Sequence, residues 1–254
     1  MLFKASSQRG YEIAARDGAI GSVDDWLFDQ RSWTVRWAVI DTGRWLPGRR
    51  VLLPPQVLGT PDVWQRAFAV DLTRQQVEES PDASLDEPVS RQHEIALYEH
   101  YGWSPYWSLA MPGDLGIVAA GMPPETRPEY AREKPGAGGP YRGDPCLQSV
   151  RDVVGYRIEA SDGMIGDVDD FLIEASGWQI RYVVVDTGRW LPGKTVLISP
   201  LWIDGIAWDE RRVRVRVTRA AVENSPGYRP EMAIDRDYEA RLHDYYGEPL
   251  YWGF

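Results

Sequence analysis

The stretch Asp41-Thr-Gly-Arg-Trp-Leu-Pro-Gly48 returns unchanged at residues 186–193. Around it, residues 10–107 align with residues 155–252 at a constant offset of 145, without a gap, and 41 of the 98 positions are identical. This spacing is far longer than the period of solenoid repeats, so it indicates a duplicated domain. We call residues 10–107 the first repeat and residues 155–252 the second repeat.

The duplication predicts three parts of the chain. Residues 1–107 and residues 153–254 each form one domain, and residues 108–152 connect them. Residues 108–152 contain seven prolines and seven glycines, a composition typical of an extended connector. The apolar segment at residues 115–122 predicts either a strand that packs on one of the domains or a segment that docks on a partner.

Within each repeat the pattern is that of short strands separated by glycine turns. The most apolar stretch, Trp33–Ile40, and the alternating stretch Val213–Val217 are the clearest strands. We therefore predict a mainly β fold with two small, closed or nearly closed barrels in tandem, each followed by a short helical tail. Alternation along one strand face predicts that six side chains are largely buried: Trp33, Val35, Val39, Trp178, Ile180 and Val184.

Several motifs together resemble one known family. They are Ile20-Gly-x-Val-Asp-Asp25, the Trp-Leu-Pro-Gly loop, and the ending Tyr-Gly-x-x-x-Tyr-Trp, and all of them occur in both repeats. This combination is similar to the PRC-barrel family, which includes the cytoplasmic domain of the photosynthetic reaction centre H subunit, and most of all to its stand-alone members with two copies. The resemblance implies a barrel fold and no catalytic site. The chain departs from the H subunit because it lacks that subunit's N-terminal transmembrane helix.

The composition narrows the classes of partner. The formal net charge is −10 and both halves are acidic, which argues against binding nucleic acid and disfavours a role in ribosome or RNA maturation. The single cysteine excludes an intrachain disulfide, and nothing points to an oxidising compartment. The sequence has no signal-peptide pattern and no apolar stretch long enough to span a bilayer. We expect a cytoplasmic protein that reaches a membrane only by binding another protein.

The histidines and the recurring aspartates are weak candidates for catalysis or metal binding. His93, His100 and His243 have no histidine at the equivalent position of the other repeat, so they do not predict an ancestral base or metal ligand. The pairs at residues 24–25 and 169–170 do recur, but adjacent strand residues point to opposite faces and cannot chelate one ion together. We expect no catalytic residue, cofactor or metal. We expect Asp41 with Arg44, and Asp186 with Arg189, to brace the two copies of the loop as ion pairs.

Tryptophan is the most informative residue type for binding. The chain has twelve tryptophans, and only three pairs of them occupy equivalent positions in the two repeats. In the repeated loop, either Leu46 folds back over the barrel mouth, or Trp45 and Trp190 face outward as contact residues, the kind that dominates protein interfaces. The predicted interface consists of Trp45, Trp64, Trp103, Leu115, Ile117, Val118, Met122, Trp190, Trp202 and Trp208.

These observations predict a non-catalytic protein that binds other proteins. The resemblance suggests a peripheral subunit on the cytoplasmic side of a membrane complex such as a photosynthetic reaction centre, bound to its H-type subunit or neighbouring subunits. The main alternative is a soluble, stress-related homo-oligomer. The duplication also predicts a pseudo-twofold relation between the repeats.

Overall fold

The computed structural model describes residues 1–81, 89, 91–106, 147–229, 232 and 234–252. The predicted apolar segment with Leu115, Ile117, Val118 and Met122 lies outside these residues. The strands are β1 (Leu2–Lys4), β2 (Glu12–Ala15), β3 (Gly18–Asp29), β4 (Thr34–Asp41), β5 (Arg50–Leu53), β6 (Ala67–Ala69), β7 (Leu147–Ser149), β8 (Arg157–Ala160), β9 (Gly163–Glu174), β10 (Ile180–Asp186), β11 (Thr195–Ile198), β12 (Ile203–Ala207) and β13 (Arg212–Val215). The α-helices are α1 (Arg74–Glu78), α2 (Arg91–Tyr101), α3 (Val150–Val153), α4 (Arg219–Asn224) and α5 (Arg236–Tyr246), with 3₁₀ turns at Ser6–Gln8, Pro55–Val57 and Pro200–Trp202. The prediction of a mainly β protein is confirmed.

The chain folds into two compact units whose limits differ from those of the repeats. Unit 1 contains Met1–Arg9, Asp25–Trp37 and Gln148–Phe254, and unit 2 contains Gly10–Asp24 and Ala38–Leu147. Unit 1 therefore combines the second repeat with the N-terminal segment and with the turn between β3 and β4 of the first repeat.

In unit 1 the strand order is β11-β10-β9-β8-β13-β12, and β1 pairs with β9. The long strand β9 pairs antiparallel with β8 and β10, and β13 pairs parallel with β8. Its core includes Phe171, Tyr182 and Trp202, all of which are fully buried. Among the described residues, this ladder ends at β11 and β12 and does not close into a barrel.

In unit 2 the strand order is β5-β4-β3-β2-β6, again without closure among the described residues. One glycine position explains a motif that occurs in both repeats. A Cβ atom on Gly21 would lie 2.1 Å from Asp41 O, and in unit 1 a Cβ atom on Gly166 would lie 2.0 Å from Asp186 O. Only glycine permits this backbone approach, which is why Ile-Gly-x-Val occurs in both repeats.

Unit 1 contains a local twofold relation between equivalent residues. Thr34 and Gln179 are 145 residues apart and form an antiparallel bridge. Val35 N donates to Trp178 O at 2.8 Å, and its equivalent, Ile180 N, donates to Trp33 O at 2.7 Å. Each bond is the image of the other, so a local pseudo-twofold axis passes between Thr34 and Gln179.

Two buried aspartates anchor chain segments in a reciprocal way. In unit 1, Asp170 accepts hydrogen bonds from Ser6 N at 3.2 Å and from the Ser6 hydroxyl, and thereby fixes the segment that carries β1. Its equivalent, Asp25, accepts from Arg151 N at 3.1 Å and from the Ser149 hydroxyl, beside β7. Each repeat thus binds the segment that precedes the other repeat.

Burial of the strands agrees with the prediction except at one tryptophan. Val35, Val39, Trp178, Ile180 and Val184 are buried, whereas Trp33 is half-buried. Both tryptophans have a φ near +50° and precede their strands, so neither takes part in the strand alternation. Trp178 is buried between Phe3 and Trp26, whereas Trp33 stacks on Phe28 and stays partly exposed.

The repeated loop also differs from the expectation. Asp41 Oδ1 accepts a hydrogen bond from Gly43 N at 2.9 Å, and Asp186 accepts the same bond from Gly188 N. Neither Asp41 with Arg44 nor Asp186 with Arg189 forms an ion pair, so the predicted brace is wrong. The carboxylate instead stabilises the turn by capping a backbone N–H two residues further on.

Candidate binding site

A cleft of about 740 Å³ opens on unit 1 beside the edge strand β12. Residues 203–206 of β12 form one part of its wall, and Trp33, Ile180 and Tyr251 belong to other parts. Leu201 and Trp208 complete the apolar lining, and Leu201 is 54% exposed. The cleft therefore combines apolar side chains, most of them half-buried, with the backbone of a strand.

The backbone at this edge has an unused donor. In the first repeat, Asp62 and Ala67 exchange both of their backbone hydrogen bonds, at 2.8 and 3.1 Å. The equivalent pair in unit 1 is Ala207 and Arg212, and Ile206 pairs with Val213 one step further along. Since hydrogen-bonded and non-bonded pairs alternate in an antiparallel ladder, the N–H and C=O of Ile206 point away from β13. Among the described residues β12 pairs only with β13, and Ile206 forms no backbone hydrogen bond outside that ladder.

Beneath the cleft lies a cluster of buried polar side chains. Tyr182 on β10 and Glu239 and His243 on α5 are all buried. The Tyr182 hydroxyl lies 3.1 Å from both Glu239 Oε1 and His243 Nε2, and His243 Nδ1 lies 2.8 Å from Pro249 O. Burial, with the nearby Glu239 carboxylate, raises the pKa of Tyr182 well above its usual range.

Tyr251 connects this cluster to the cleft. Its hydroxyl donates to Glu239 Oε1 at 2.7 Å and accepts from Arg236 Nη1 at 2.7 Å. The Arg181 guanidinium, which pairs with Glu174, lies 4.0 Å from the centre of the Tyr251 ring. The position of this wall of the cleft therefore depends on the buried cluster.

The structure separates the predicted tryptophans into different environments. Trp208 lines the cleft, and Trp64 is 98% exposed at a turn in unit 2. Trp103 is half-buried and stacks on Tyr101, with ring centres 4.1 Å apart. Trp202 is fully buried against His243 and Tyr246, so it is a core residue and the prediction of a surface role for it is wrong.

The tryptophans of the repeated loop are each covered by an arginine. The Arg74 guanidinium lies 4.6 Å from the centre of the Trp45 ring, and the Arg219 guanidinium lies 4.6 Å from that of Trp190. Both tryptophans are half-buried. Each loop tryptophan therefore packs against an arginine of its own unit, and its role as a contact residue stays a prediction.

The recurring aspartates are used for structure. Asp24 pairs with Arg50 at 3.4 Å, and Asp169 pairs with Lys4 at 3.7 Å. Burial raises the pKa of Asp25 and of Asp170, while the hydrogen bonds that they accept act in the opposite direction. In the part of the chain that the structure describes, no three acidic, histidine or cysteine side chains are grouped as metal ligands.

Sequence reasoning missed both the cleft and the cluster. Tyr182, Glu239 and His243 come from distant positions, and only Glu239 has an identical equivalent, Glu94. A signal was nevertheless present, because the two repeats differ at the positions of Tyr182 and His243, where the first repeat has Trp37 and Tyr98.

No model of a known protein family and no curated protein matches the chain. None of the described helices is both long and apolar enough to cross a bilayer.

Proposed function

We propose that this protein is a non-catalytic binding protein that captures an extended segment of a partner protein at the edge of β12. The observation that carries the proposal is the unpaired backbone of Ile206 beside an apolar cleft. An incoming strand would pair with Ile206 and place alternate side chains in the cleft, as in other cases of strand addition.

The chemistry of the edge specifies the occupant. A backbone N–H and C=O that both point outward are matched by another backbone. Five residues of β12 span about 17 Å at about 3.3 Å per residue, enough for a strand of ordinary length. Leu201 and Trp208 would supply the apolar contacts, and Asp204, which is exposed on this edge, would face a basic residue of the partner.

The first repeat supports this choice by contrast. Pro61 occupies the position equivalent to Ile206, and proline has no N–H to offer. Proline on an edge strand is a common protection against unwanted pairing. The second repeat lacks that protection, which favours a strand-binding role for β12 alone.

The class of partner comes from the resemblance to the PRC-barrel family. We propose that each repeat is a PRC-type barrel left open at its edge, and that the partner is a protein subunit of a membrane complex. A photosynthetic reaction centre, through its H-type subunit or neighbouring subunits, is the example that the family provides. The chain would then act as a peripheral subunit on the cytoplasmic face of the membrane.

Sedimentation with membranes of the source organism tests the proposal. Wild type, Trp208→Ala and Leu201→Asp are compared at moderate salt, with Val63→Ala as the control because Val63 is equivalent to Trp208. We expect each cleft variant to bind roughly tenfold more weakly or worse, since a central apolar anchor contributes more than about 1 kcal/mol to an interface. Equal binding by Trp208→Ala and wild type would contradict the proposal. An oligomer that never binds membranes would favour the homo-oligomer instead.

A further inference from the structure

The hydrogen bonds of the buried cluster under the cleft can be counted atom by atom. Pro249 O can only accept, so His243 Nδ1, 2.8 Å away, carries a hydrogen. If His243 is neutral, its Nε2 is then an acceptor. Glu239 Oε1, when the carboxyl group is ionised, is also an acceptor.

The Tyr182 hydroxyl lies 3.1 Å from both of these acceptors but has a single hydrogen. With neutral His243 and ionised Glu239, one of the two contacts must be a repulsion between lone pairs inside the protein. Tyr251 cannot supply the missing hydrogen, because its own hydroxyl donates to Glu239 Oε1.

We infer that this cluster binds one additional proton, shared between His243 and Glu239 through Tyr182. In one form His243 Nε2–H donates to the Tyr182 oxygen and the Tyr182 hydroxyl donates to ionised Glu239. In the other form protonated Glu239 donates to Tyr182, which donates to neutral His243. Both forms satisfy every contact and have the same total charge.

With this proton bound, the His243–Tyr182–Glu239 group has no net charge, and its charged neighbours are paired. Arg236 Nη1 donates to Glu239 Oε2 at 3.2 Å, and Arg236 also approaches Glu174 at 3.9 Å. Arg181 pairs with the same Glu174. Trp202, Tyr246, Tyr251 and Trp252 complete the aromatic surroundings.

Removal of the proton has a structural consequence. Tyr182 is on β10, whereas both of its acceptors are on α5, so deprotonation costs α5 one of its two contacts with that hydroxyl. Pro249 and Tyr251 follow α5 directly, and Tyr251 lines the cleft. Protonation of the cluster therefore controls how tightly α5, and with it one wall of the cleft, is held against β10. Its effect on a bound partner rests on the proposed function, but the presence of the proton does not.

Nuclear magnetic resonance of the full chain reads the proton without any partner. At about pH 7.5 a free histidine is mostly neutral and a free glutamate is ionised. We expect either two hydrogen-bearing ring nitrogens on His243, from two-bond proton–nitrogen spectra, or a protonated Glu239, from its carboxyl carbon shift. Neutral His243 together with ionised Glu239 in the wild type would overturn the inference.

Variants show whether Tyr182 is the bridge. Tyr182→Phe removes the shared hydroxyl, and Trp37 at the equivalent position shows that the repeat accepts an aromatic ring without one. We expect this variant to return His243 to a single protonated nitrogen and Glu239 to the ionised form. The control is Tyr245→Phe, on the same helix, whose hydroxyl donates to Ala221 O outside the cluster. An unchanged proton in Tyr182→Phe, or its loss in Tyr245→Phe, would overturn the assignment to this cluster.

Discussion

Residues 58–62 of the first repeat and residues 203–207 of the second repeat occupy equivalent positions at the sheet edge but differ in structure. In the second repeat this stretch is the strand β12, whereas in the first only isolated bridges at Leu58 and Asp62 remain. The first edge contains Pro61, where the second has Ile206 with an outward N–H. The two repeats therefore share the arrangement of their strands but differ in the backbone that their edges present.

The shared frame gives the largest expected effect. Gly166→Ala should destabilise unit 1 by about 4 kcal/mol, because a Cβ atom would overlap Asp186 O and because the φ of Gly166, +147°, suits only glycine. Gly205→Ala, where a Cβ atom would meet nothing within 4 Å, should change stability little. Urea denaturation measures the free energy of unfolding of both variants. Equal losses would contradict the conclusion that the close backbone contact at Gly166 stabilises the fold.

The reciprocal anchors give the next effect. Asp170→Ala should cost about 3 kcal/mol, because it leaves Ser6 N–H and the Ser6 hydroxyl without their acceptor. Asp25→Ala should cost a similar amount, through Ser149 and Arg151. Limited proteolysis should release the N-terminal segment in the first variant and not in the second.

The contribution of Asp170 to the free energy of unfolding should depend on pH in a defined direction. Burial raises the pKa of Asp170 above its ordinary 3.8, so the folded state binds the proton more tightly than the unfolded state. Wild type should therefore gain stability relative to Asp170→Asn as the pH falls through the folded pKa, and lose that gain as the pH rises. Parallel stability curves for the two proteins at acidic pH would contradict this.

The smallest effect concerns the loop that is identical in both repeats. Arg74→Gln and Arg219→Gln remove the guanidinium groups over Trp45 and Trp190, and each should cost about 0.5–1 kcal/mol. Arg189→Gln, an exposed charge in the same loop, is the control and should cost less. Unequal losses for the two paired arginines would show that the loops have diverged despite their identical sequence.

Local patterns in the sequence predicted the local structure well. The alternation that buries Val35 and Val39 is present, and the predicted helical tail of the first repeat begins with α1, at a capping box of Thr73 and Gln76. The duplication also predicted equivalent strands, and β8–β11 of the second repeat correspond in position to β2–β5 of the first.

Contacts between distant residues could not be predicted in this way. The strands β1 and β7 have three residues each, too few for a periodic signal, and β1 pairs with residues 172–174. Trp202 was assigned to the surface because its equivalent is Val57, yet it fills space beside His243, another position where the repeats differ. When two positions differ between the repeats, the side chains can pack against each other in the core as well as form an interface with a partner.

The most direct test of strand capture at β12 is amide hydrogen exchange of the full chain, free and bound to membranes of its source organism. We predict slower exchange on binding at residues 203–207, Ile206 above all, and no change at residues 58–62. Ile206→Pro should fold, because Pro61 is tolerated at the equivalent position, and should no longer bind. Unchanged exchange at residues 203–207 in the bound protein, or full binding by Ile206→Pro, would contradict the proposed site.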